Sequence, residues 1–323
     1  MSKYIALRLL QSIPMLIAVV TLTFVLIHTA PGDPVTYMYA AFNVSQEELQ
    51  ALRESLGLND PLYVQFGRYV ARLFRGDLGF SYINRGPVIG LILERLPATL
   101  LLSGTGILLA AILGTLLGAL AAVKARSLLD YFVSTISIVG YCMPVFWLGI
   151  VLILTLSLRL RWFPSMGIET LRTQLSGLAA IRDVAWHLVL PAITLGSYFL
   201  AEYARLTRAS MLEVLGQDFI VTARAKGLRN SAIYLRHALR NSLLPVIAVL
   251  GVHVGMLLVS ATVTETVFAW PGIGRLTYNA ILQRDYPLLM GVFVFVAWFV
   301  ILANLVSDIA CAALDPRIRY YES

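Results

Sequence analysis

A short polar sequence at residues 217–228, Gln-Asp-Phe-Ile-Val-Thr-Ala-Arg-Ala-Lys-Gly-Leu, interrupts an otherwise apolar chain, and Leu-Leu-Pro follows at 243–245. Asp218 is predicted to cap a helix of two turns over Phe219–Lys226. Gly227 is predicted to end that helix in the left-handed conformation. A protein that only had to sit in a bilayer would not need this segment, so the pattern favours a docking point for another protein.

The two sides of this predicted helix differ in chemistry. Phe219, Ile220 and Ala223 are expected to face one surface, while Arg224 and Lys226 are free to face water, lipid headgroups or an acidic groove. Spacing leaves two interpretations open. Without a partner the segment is a short interfacial helix, and with one it is a docking helix.

Motifs for catalysis are absent from the sequence. It contains no G-x-x-x-x-G-K-[ST], H-E-x-x-H or G-x-S-x-G pattern and no Cys/His cluster, so we predict a non-enzyme that hydrolyses no ATP and binds no cofactor or metal. Cys142 and Cys311 are expected to be small packing residues. His28 and His253 are isolated and more typical of packing or lining positions, with His253 a candidate contact for a translocated solute.

The elements around this segment are membrane helices. The chain is 59% hydrophobic and 13% charged, whereas a soluble domain carries about 25% charged residues. Uncharged runs near the required length of about 20 residues predict an all-α polytopic protein with six transmembrane helices, not a β-barrel. The runs are Leu9–Gly32, Leu96–Val123, Tyr131–Leu158, Val184–Ala201, Asn241–Thr264 and Tyr286–Ser307.

The distribution of basic residues predicts the orientation. Every lysine, and ten of the sixteen arginines outside the long outer segment 33–95, fall in pieces that lie inside when the N-terminus is cytoplasmic. Long loops are left out of this count because they cross the membrane largely regardless of charge. Both termini are therefore predicted to be cytoplasmic. None of the uncharged runs contains Asp, Glu, Lys or Arg, which disfavours an ion-coupled transporter, so the protein is either a passive pore or is driven by a partner.

Residues 33–95 are predicted to form a small helical cap on the outer face. Ser45 and Glu48 match a capping box, and Asp60 is predicted to cap a second helix with Pro61 in its first turn. We expect the domains to be an N-terminal transmembrane helix (1–32), this cap (33–95), a transmembrane domain (96–310) and a cytoplasmic tail (311–323).

Other positions have weaker signals. A stripe of small residues at 106, 110, 114, 118 and 122 favours close helix packing, with a sliding subunit interface as the alternative. Pro144 is predicted to kink the third helix, which would place Pro144 and Trp147 near a pathway, whereas Pro245 and Pro287 are placed near helix starts. Trp270-Pro271-Gly272 predicts a rigid turn that is either an interfacial anchor or part of an outer gate together with Glu265.

The docking segment resembles the coupling loop of type I ABC importers, in the form found in peptide importers. The sequences Thr-Ala-Arg-Ala-Lys-Gly-Leu at 222–228, His-Ala-Leu-Arg-Asn at 237–241 and Leu-Leu-Pro at 243–245 carry the likeness. Further matches at 31–34, 76–79, 208–215, 264–275, 284–287 and 315–317 extend it over nearly the whole chain. The family is the B-type permease subunit of dipeptide, oligopeptide and nickel importers. Val-Thr-Ala at 221–223 departs from the Glu-Ala-Ala of sugar and phosphate permeases.

The resemblance implies a fold and partners. The chain would have the type I ABC importer permease fold and would form half of a pathway with a second, homologous permease. Two cytoplasmic ATPases, which bind the ATP and Mg²⁺, would dock on the loop 208–240, and a periplasmic or lipid-anchored binding protein would deliver substrate. The residues implied in ATPase coupling are Glu213, Gln217, Asp218, Phe219, Thr222, Ala223, Arg224, Ala225, Lys226, Gly227 and Leu228.

The sequence leaves open the solute of the importer and two roles outside transport by an importer. The solute of an importer of this family is a peptide or else nickel, an opine, glutathione or a glycoside. The chain is otherwise a passive channel or a structural subunit of a membrane assembly. An intramembrane enzyme is disfavoured because no polar residues converge inside the predicted spans.

Overall fold

The computed structural model describes residues 2–29, 50, 54, 59–170 and 175–314. Helices dominate these residues, and the one small sheet in the described part pairs two strands of two residues each, β1 (Phe80–Ser81) and β2 (Gly86–Pro87). The helices are α1 (Ser2–Thr29), α2 (Leu62–Phe74), α3 (Val88–Val123), α4 (Leu128–Cys142), α5 (Val145–Arg159), α6 (Leu178–Leu215), α7 (Asp218–Ala225), α8 (Asn230–Gly255), α9 (Leu257–Val267), α10 (Ile273–Gln283) and α11 (Tyr286–Leu314).

Five of these helices are long and apolar enough to cross a membrane, and the number is six if α4 and α5 together form one span. The two are bent by 103° at Met143–Pro144, so the kink predicted at Pro144 is present as a sharp break between two helices. Pro144 has no N–H to donate and pushes Met143 into an extended conformation (ψ 124°), which ends α4. Cys142 is exposed beside the break and does not pack inside the chain.

Several helices are longer than the uncharged runs. Helix α3 begins at Val88 instead of Leu96, and Glu94 is exposed on its first turns. Helix α6 has 38 residues, about 57 Å, and continues past Ala201 through a charged segment. Helix α8 begins at Asn230 and runs through a π-helical section at Ile233–Leu239. Pro245 therefore lies inside the helix and not near its start, where it was predicted to lie.

The chain divides into two compact units. The first comprises Met1–Pro97 and Gly272–Leu305. In it, Phe24 of α1 and Tyr69 of α2 share a buried apolar cluster with Val294 of α11. Burial raises the pKa of the Tyr69 phenol to about 12.

Polar contacts in the first unit join segments that are distant in the sequence. The Nδ1 atom of His28 lies 2.8 Å from the Phe24 carbonyl oxygen, and its Nε2 lies 3.2 Å from Gln65 Oε1, so His28 is a hydrogen-bonded packing residue. The buried Asp285 accepts from Ser81 Oγ at 2.5 Å and from Asn84 Nδ2 at 3.1 Å, which fixes the β1–β2 hairpin to the start of α11.

The predicted cap helix begins one residue later than expected. The N-cap of α2 is Pro61, with no side-chain capping bond, and Asp60 instead pairs with Arg68 across two turns. The N-cap prediction for Asp60 is therefore wrong, because the proline ring occupies the position where helical geometry starts. Ser45 and Glu48 lie outside the described residues.

The second unit comprises Ala98–Pro271 and Val306–Ser323, and its core is the crossing of α3 with α6. A Cβ atom added at Gly114 would lie 2.7 Å from the Leu200 carbonyl oxygen, and one added at Gly118 would collide with that of Ala204. Ala110 and Ala122 are buried on the same stripe. The small residues therefore serve helix packing within the chain.

Candidate functional site

Helix α7 has the predicted length and position. It spans Asp218–Ala225, and Gly227 follows with φ +73°, in the left-handed region. The Gly227 N–H donates to the Arg224 carbonyl at 2.9 Å, and the Leu228 N–H donates to that of Ala223 at 3.3 Å. These bonds satisfy carbonyls that the helix end leaves free, so the predicted glycine stop is confirmed.

The N-terminal boundary differs by one residue. Gln217 is the N-cap, without a side-chain capping bond, and Asp218 is the first helical residue. The N-cap prediction for Asp218 is therefore wrong. Asp218 still places a negative charge in the first turn, where it interacts favourably with the helix dipole. The helix ends at Ala225, one residue before the predicted Lys226.

One face of α7 is buried in the second unit. Ile220 is fully buried and Ala223 nearly so, and they pack against Met211 and Val214 of α6 and Ile233 of α8. Phe219 does not share this face, contrary to the prediction, because successive residues of a helix point about 100° apart. Its side chain is 39% exposed.

Away from this buried face, α7 and the residues that follow it are open and mixed in character. Phe219, Val221 and Leu228 expose apolar side chains, and Arg224 and Lys226 are exposed beside them. We call this surface, made of Phe219, Val221, Arg224, Lys226 and Leu228, the outer face of α7. Apolar side chains flanked by cations suit a protein partner with an apolar groove and an acidic rim.

The attachment of α7 to α6 is short. Gly216 and Gln217 alone separate the two helices, and the N–H of Gln217 donates to the Val214 carbonyl at 3.1 Å. Glu213 and Gln217 are exposed near this connection. Because the link is short and the inner face of α7 is packed, α7 cannot shift without moving the end of α6.

A partly buried ion pair supports the same end of α6. Arg208 donates from Nε to Asp130 Oδ1 at 2.6 Å and from Nη2 to Oδ2 at 2.8 Å, and the Arg126 backbone N–H donates to the same carboxylate at 2.9 Å. Asp130 is almost completely buried. The bidentate geometry fixes the start of α4 against α6. Sequence reasoning missed Asp130 because it stands one residue before an uncharged run, where a charge signals only a helix end.

The predicted pathway residues do not form one site. Pro144 and Trp147 are exposed at the α4–α5 break, and His253 is buried in α8. Glu265 and Trp270 are both fully buried. The backbone N–H of Trp270 donates to the backbone carbonyl of Glu265 at 2.8 Å. Among the predicted pathway residues, Glu265 and Trp270 are joined by a hydrogen bond, whereas Pro144, Trp147 and His253 lie on other elements.

The segment around Trp270 is internal. Trp270 Nε1 donates to the Ala98 carbonyl at 2.8 Å, and Thr99 Oγ1 donates to Glu265 Oε1 at 2.6 Å. Ala269 between them has φ +51°, and Pro271 is half-buried. A fully buried indole cannot serve as an interfacial anchor, so that prediction is wrong.

These features define a class of protein: a multi-pass, all-α membrane protein that carries a short packed helix with an open outer face. Two family models match the chain. Residues 114–320 match the binding-protein-dependent transport system inner membrane component, and residues 1–103 match the N-terminal membrane component of the same systems. The chain therefore belongs to this family and is an inner-membrane permease component.

Named relatives match over nearly the full length. The chain is 42% identical over 321 residues to the oligopeptide transport system permease protein AppB of Bacillus subtilis (strain 168), covering 99% of this chain and 100% of AppB. It is 44% identical over 336 residues to the di/tripeptide transport system permease protein DppB of Pseudomonas aeruginosa (strain UCBPP-PA14), covering 99% of each. The glutathione transport system permease protein GsiC of Escherichia coli O6:H1 is 38% identical over 320 residues, covering 99% of this chain and 100% of GsiC.

Proposed function

We propose that this chain is one of two permease subunits of an ATP-driven importer of di- and oligopeptides, and that α7 is its point of contact with an ATPase subunit. The similarity to permeases named for oligopeptides and di/tripeptides supports the solute class. The observation that carries the coupling role is the two-sided character of α7, with Ile220 buried and Phe219 exposed.

The physical requirement for coupling is a contact that transmits displacement. The inner face of α7 is packed on α6 and α8, so a force applied to its outer face reaches two candidate membrane spans. Differential contacts of the ATPase with this face in two states supply the free energy for a conformational change. ATP and Mg²⁺ then belong to the ATPase chains.

The remaining partners follow from the same proposal. A homologous second permease completes the pathway, two ATPases dock from the cytoplasm, and a periplasmic or lipid-anchored binding protein docks on the outer segment within 33–95. Both termini and α7 then lie in the cytoplasm. The exposed Arg72 and Arg75 at the end of α2 are candidate contacts for the binding protein.

The test of coupling introduces a charge into the apolar part of the outer face. Phe219→Glu and Val221→Glu are expected to reduce ATPase co-purification and peptide uptake by tenfold or more, because each buries an unpaired carboxylate at the contact. Leu178→Glu is the matched control, since Leu178 is an exposed apolar residue at the other end of α6. Normal co-purification and uptake by both variants would contradict the coupling role.

The test of solute class uses the assembled transporter in proteoliposomes with its binding protein. We expect ATP-dependent uptake of labelled dipeptides and no uptake by the permease pair alone. Glutathione is the second solute to test because of the similarity to GsiC. Nickel, opines and glycosides serve as further competitors. Solute flux without ATPase subunits would indicate a passive channel instead.

A further inference from the structure

Helix α6 carries a stripe of polar side chains on a face that is partly exposed. Tyr198, Glu202 and Arg205 are spaced by four and three residues and therefore share one side of the helix, whereas Phe199 and Tyr203 are buried on another. Glu202 lies 13 residues, or about 20 Å, from the end of α6 at Leu215. The stripe thus lies between the middle of α6 and its Leu215 end.

The carboxylate of Glu202 is oriented by a buried histidine. His253 Nε2 of α8 lies 3.5 Å from Glu202 Oε2, and Tyr203 Oη lies 2.8 Å from His253 Nδ1. These distances are satisfied when Tyr203 donates to Nδ1 and Nε2–H faces the carboxylate. Phe199 packs on the imidazole with ring centroids 4.6 Å apart. Glu202 itself keeps a third of its side chain exposed.

The guanidinium of Arg205 is oriented by aromatic rings. Its Cζ lies 4.9 Å from the ring centroid of Tyr141 of α4, and that ring stacks on Tyr198 at 5.1 Å. Within the described residues, no carboxylate lies at ion-pair distance from Arg205, and its side chain is exposed. The ring holds the cation in place while leaving its hydrogen-bond donors available.

Two opposite charges three residues apart on a helix ordinarily pair with each other. Here each is engaged by a different neighbour, Glu202 by His253 and Arg205 by Tyr141, so the two charged groups stand apart. Charges inside a span are costly unless they face water or a polar partner. The arrangement presents an anion and a cation side by side, with the ring of Tyr198 on the same face.

We propose that Glu202 and Arg205 bind the two ends of a short peptide during its passage, with Glu202 contacting the terminal ammonium and Arg205 the terminal carboxylate. This inference rests on the proposed peptide-importer function. Two extended residues span about 7 Å, a distance that the two flexible side chains can bracket from adjacent turns. Such a site recognises the ends common to all peptides and is indifferent to their side chains.

The experiment measures uptake by the assembled transporter with saturating binding protein. The permease variants are Glu202→Gln and Arg205→Gln, and the peptides are a free dipeptide, its N-acetylated form and its C-amidated form. Binding-protein concentration is raised until the wild-type transporter imports each peptide measurably. Glu169→Gln and Arg182→Gln are matched controls, because both residues are exposed and lie away from the stripe.

Each variant is expected to lower uptake of the free dipeptide about tenfold, the loss typical of one charge-assisted contact. Acetylation is expected to add no further loss in Glu202→Gln, and amidation none in Arg205→Gln. Discrimination by the binding protein is the same for all permeases and cancels in this comparison. Glu202→Asp and Arg205→Lys are expected to recover part of the rate.

Two results would overturn the inference while leaving the importer function intact. The first is uptake within twofold of wild type for both variants. The second is an equal loss for free and blocked peptides, which would assign the two charges to contact with the second permease or to folding. A wild-type transporter that imports no peptide would instead contradict the proposed function itself.

Discussion

Helix α7 and the segment around Trp270 both carry family motifs, yet they use their residues in opposite ways. In α7 only Ile220 and Ala223 are buried, and Phe219 and Val221 are left exposed. Around Trp270 the conspicuous side chains, Glu265 and the indole itself, are fully buried and bonded within the unit. A motif can therefore specify a surface or a core, and only burial distinguishes the two.

The largest expected effect is that of Trp270→Ala. Removal of a fully buried indole leaves a cavity and removes the hydrogen bond to the Ala98 carbonyl, and Trp→Ala changes of this kind cost about 3–5 kcal/mol. We expect a strong loss of monodisperse permease in detergent and a lower thermal midpoint. Phe219→Ala is the comparison variant, with an unchanged midpoint. Equal stability of the two variants would contradict the distinction between a buried Trp270 and an exposed Phe219.

Asp130→Asn is expected to have the next largest effect. It removes the charge that neutralises Arg208, whose side chain is one third exposed, and the loss of a charge-assisted hydrogen-bonded contact costs about 2 kcal/mol. Because the pair holds α4 to α6 near α7, we expect a lower thermal midpoint together with weaker coupling of ATP hydrolysis to uptake. A charge-swapped double variant, Asp130→Arg with Arg208→Asp, measures how much of the loss is recovered. Full additivity of the single effects would show that the pair is not coupled.

Two glycines of α3 test whether the close packing of α3 on α6 depends on the absence of a side chain. Gly118→Val is expected to disrupt the α3–α6 crossing, because a Cβ there collides with the Ala204 carbonyl. Gly104→Val is the control, since no atom lies within 4 Å of its added Cβ. We expect a loss of folded permease only for the first. Thermal unfolding monitored by size-exclusion chromatography measures both.

The smallest expected effect on stability is at Gly227. Nothing lies within 4 Å of a Cβ added there, so substitution costs only the strain of φ +73°, on the order of 1 kcal/mol for alanine. Gly227→Asn is expected to be milder because asparagine tolerates this conformation. Gly227→Val is expected to distort the end of α7 and to lower uptake and ATPase docking. Normal docking and uptake by Gly227→Val would contradict the coupling assignment.

Sequence reasoning reached the elements that local chemistry determines. The glycine stop after α7, the membrane class and the small-residue stripe were predicted from residue types and spacing. The 103° break was predicted only as a kink at Pro144, because the sequence does not state what each half packs against. The face of Phe219 is predicted incorrectly because the pattern shows three apolar residues close together, Phe219, Ile220 and Ala223, but not which of them find a packing partner.

Other residues could not be found from the sequence because their roles arise from distant contacts. Asp130 and Arg208 are 78 residues apart, and Tyr203 and His253 are 50 apart. Glu202 stands just outside an uncharged run, so the sequence predicts the end of a span there. Helix α6 continues past it because the buried Phe199, Tyr203 and Thr207 keep the helix packed on one side.

Because α6 is long, a small tilt at its α7 end displaces its opposite end by a large distance. Since the helix is about 57 Å long, a 10° tilt pivoting at its α7 end would carry the opposite end through about 10 Å, roughly the width of a helix with its side chains. Pro191 lies in the far half of this lever, where a bend would absorb part of the swing. The stiffness of the stretch between Pro191 and Leu215 therefore sets how much of a displacement at α7 reaches the opposite end of α6.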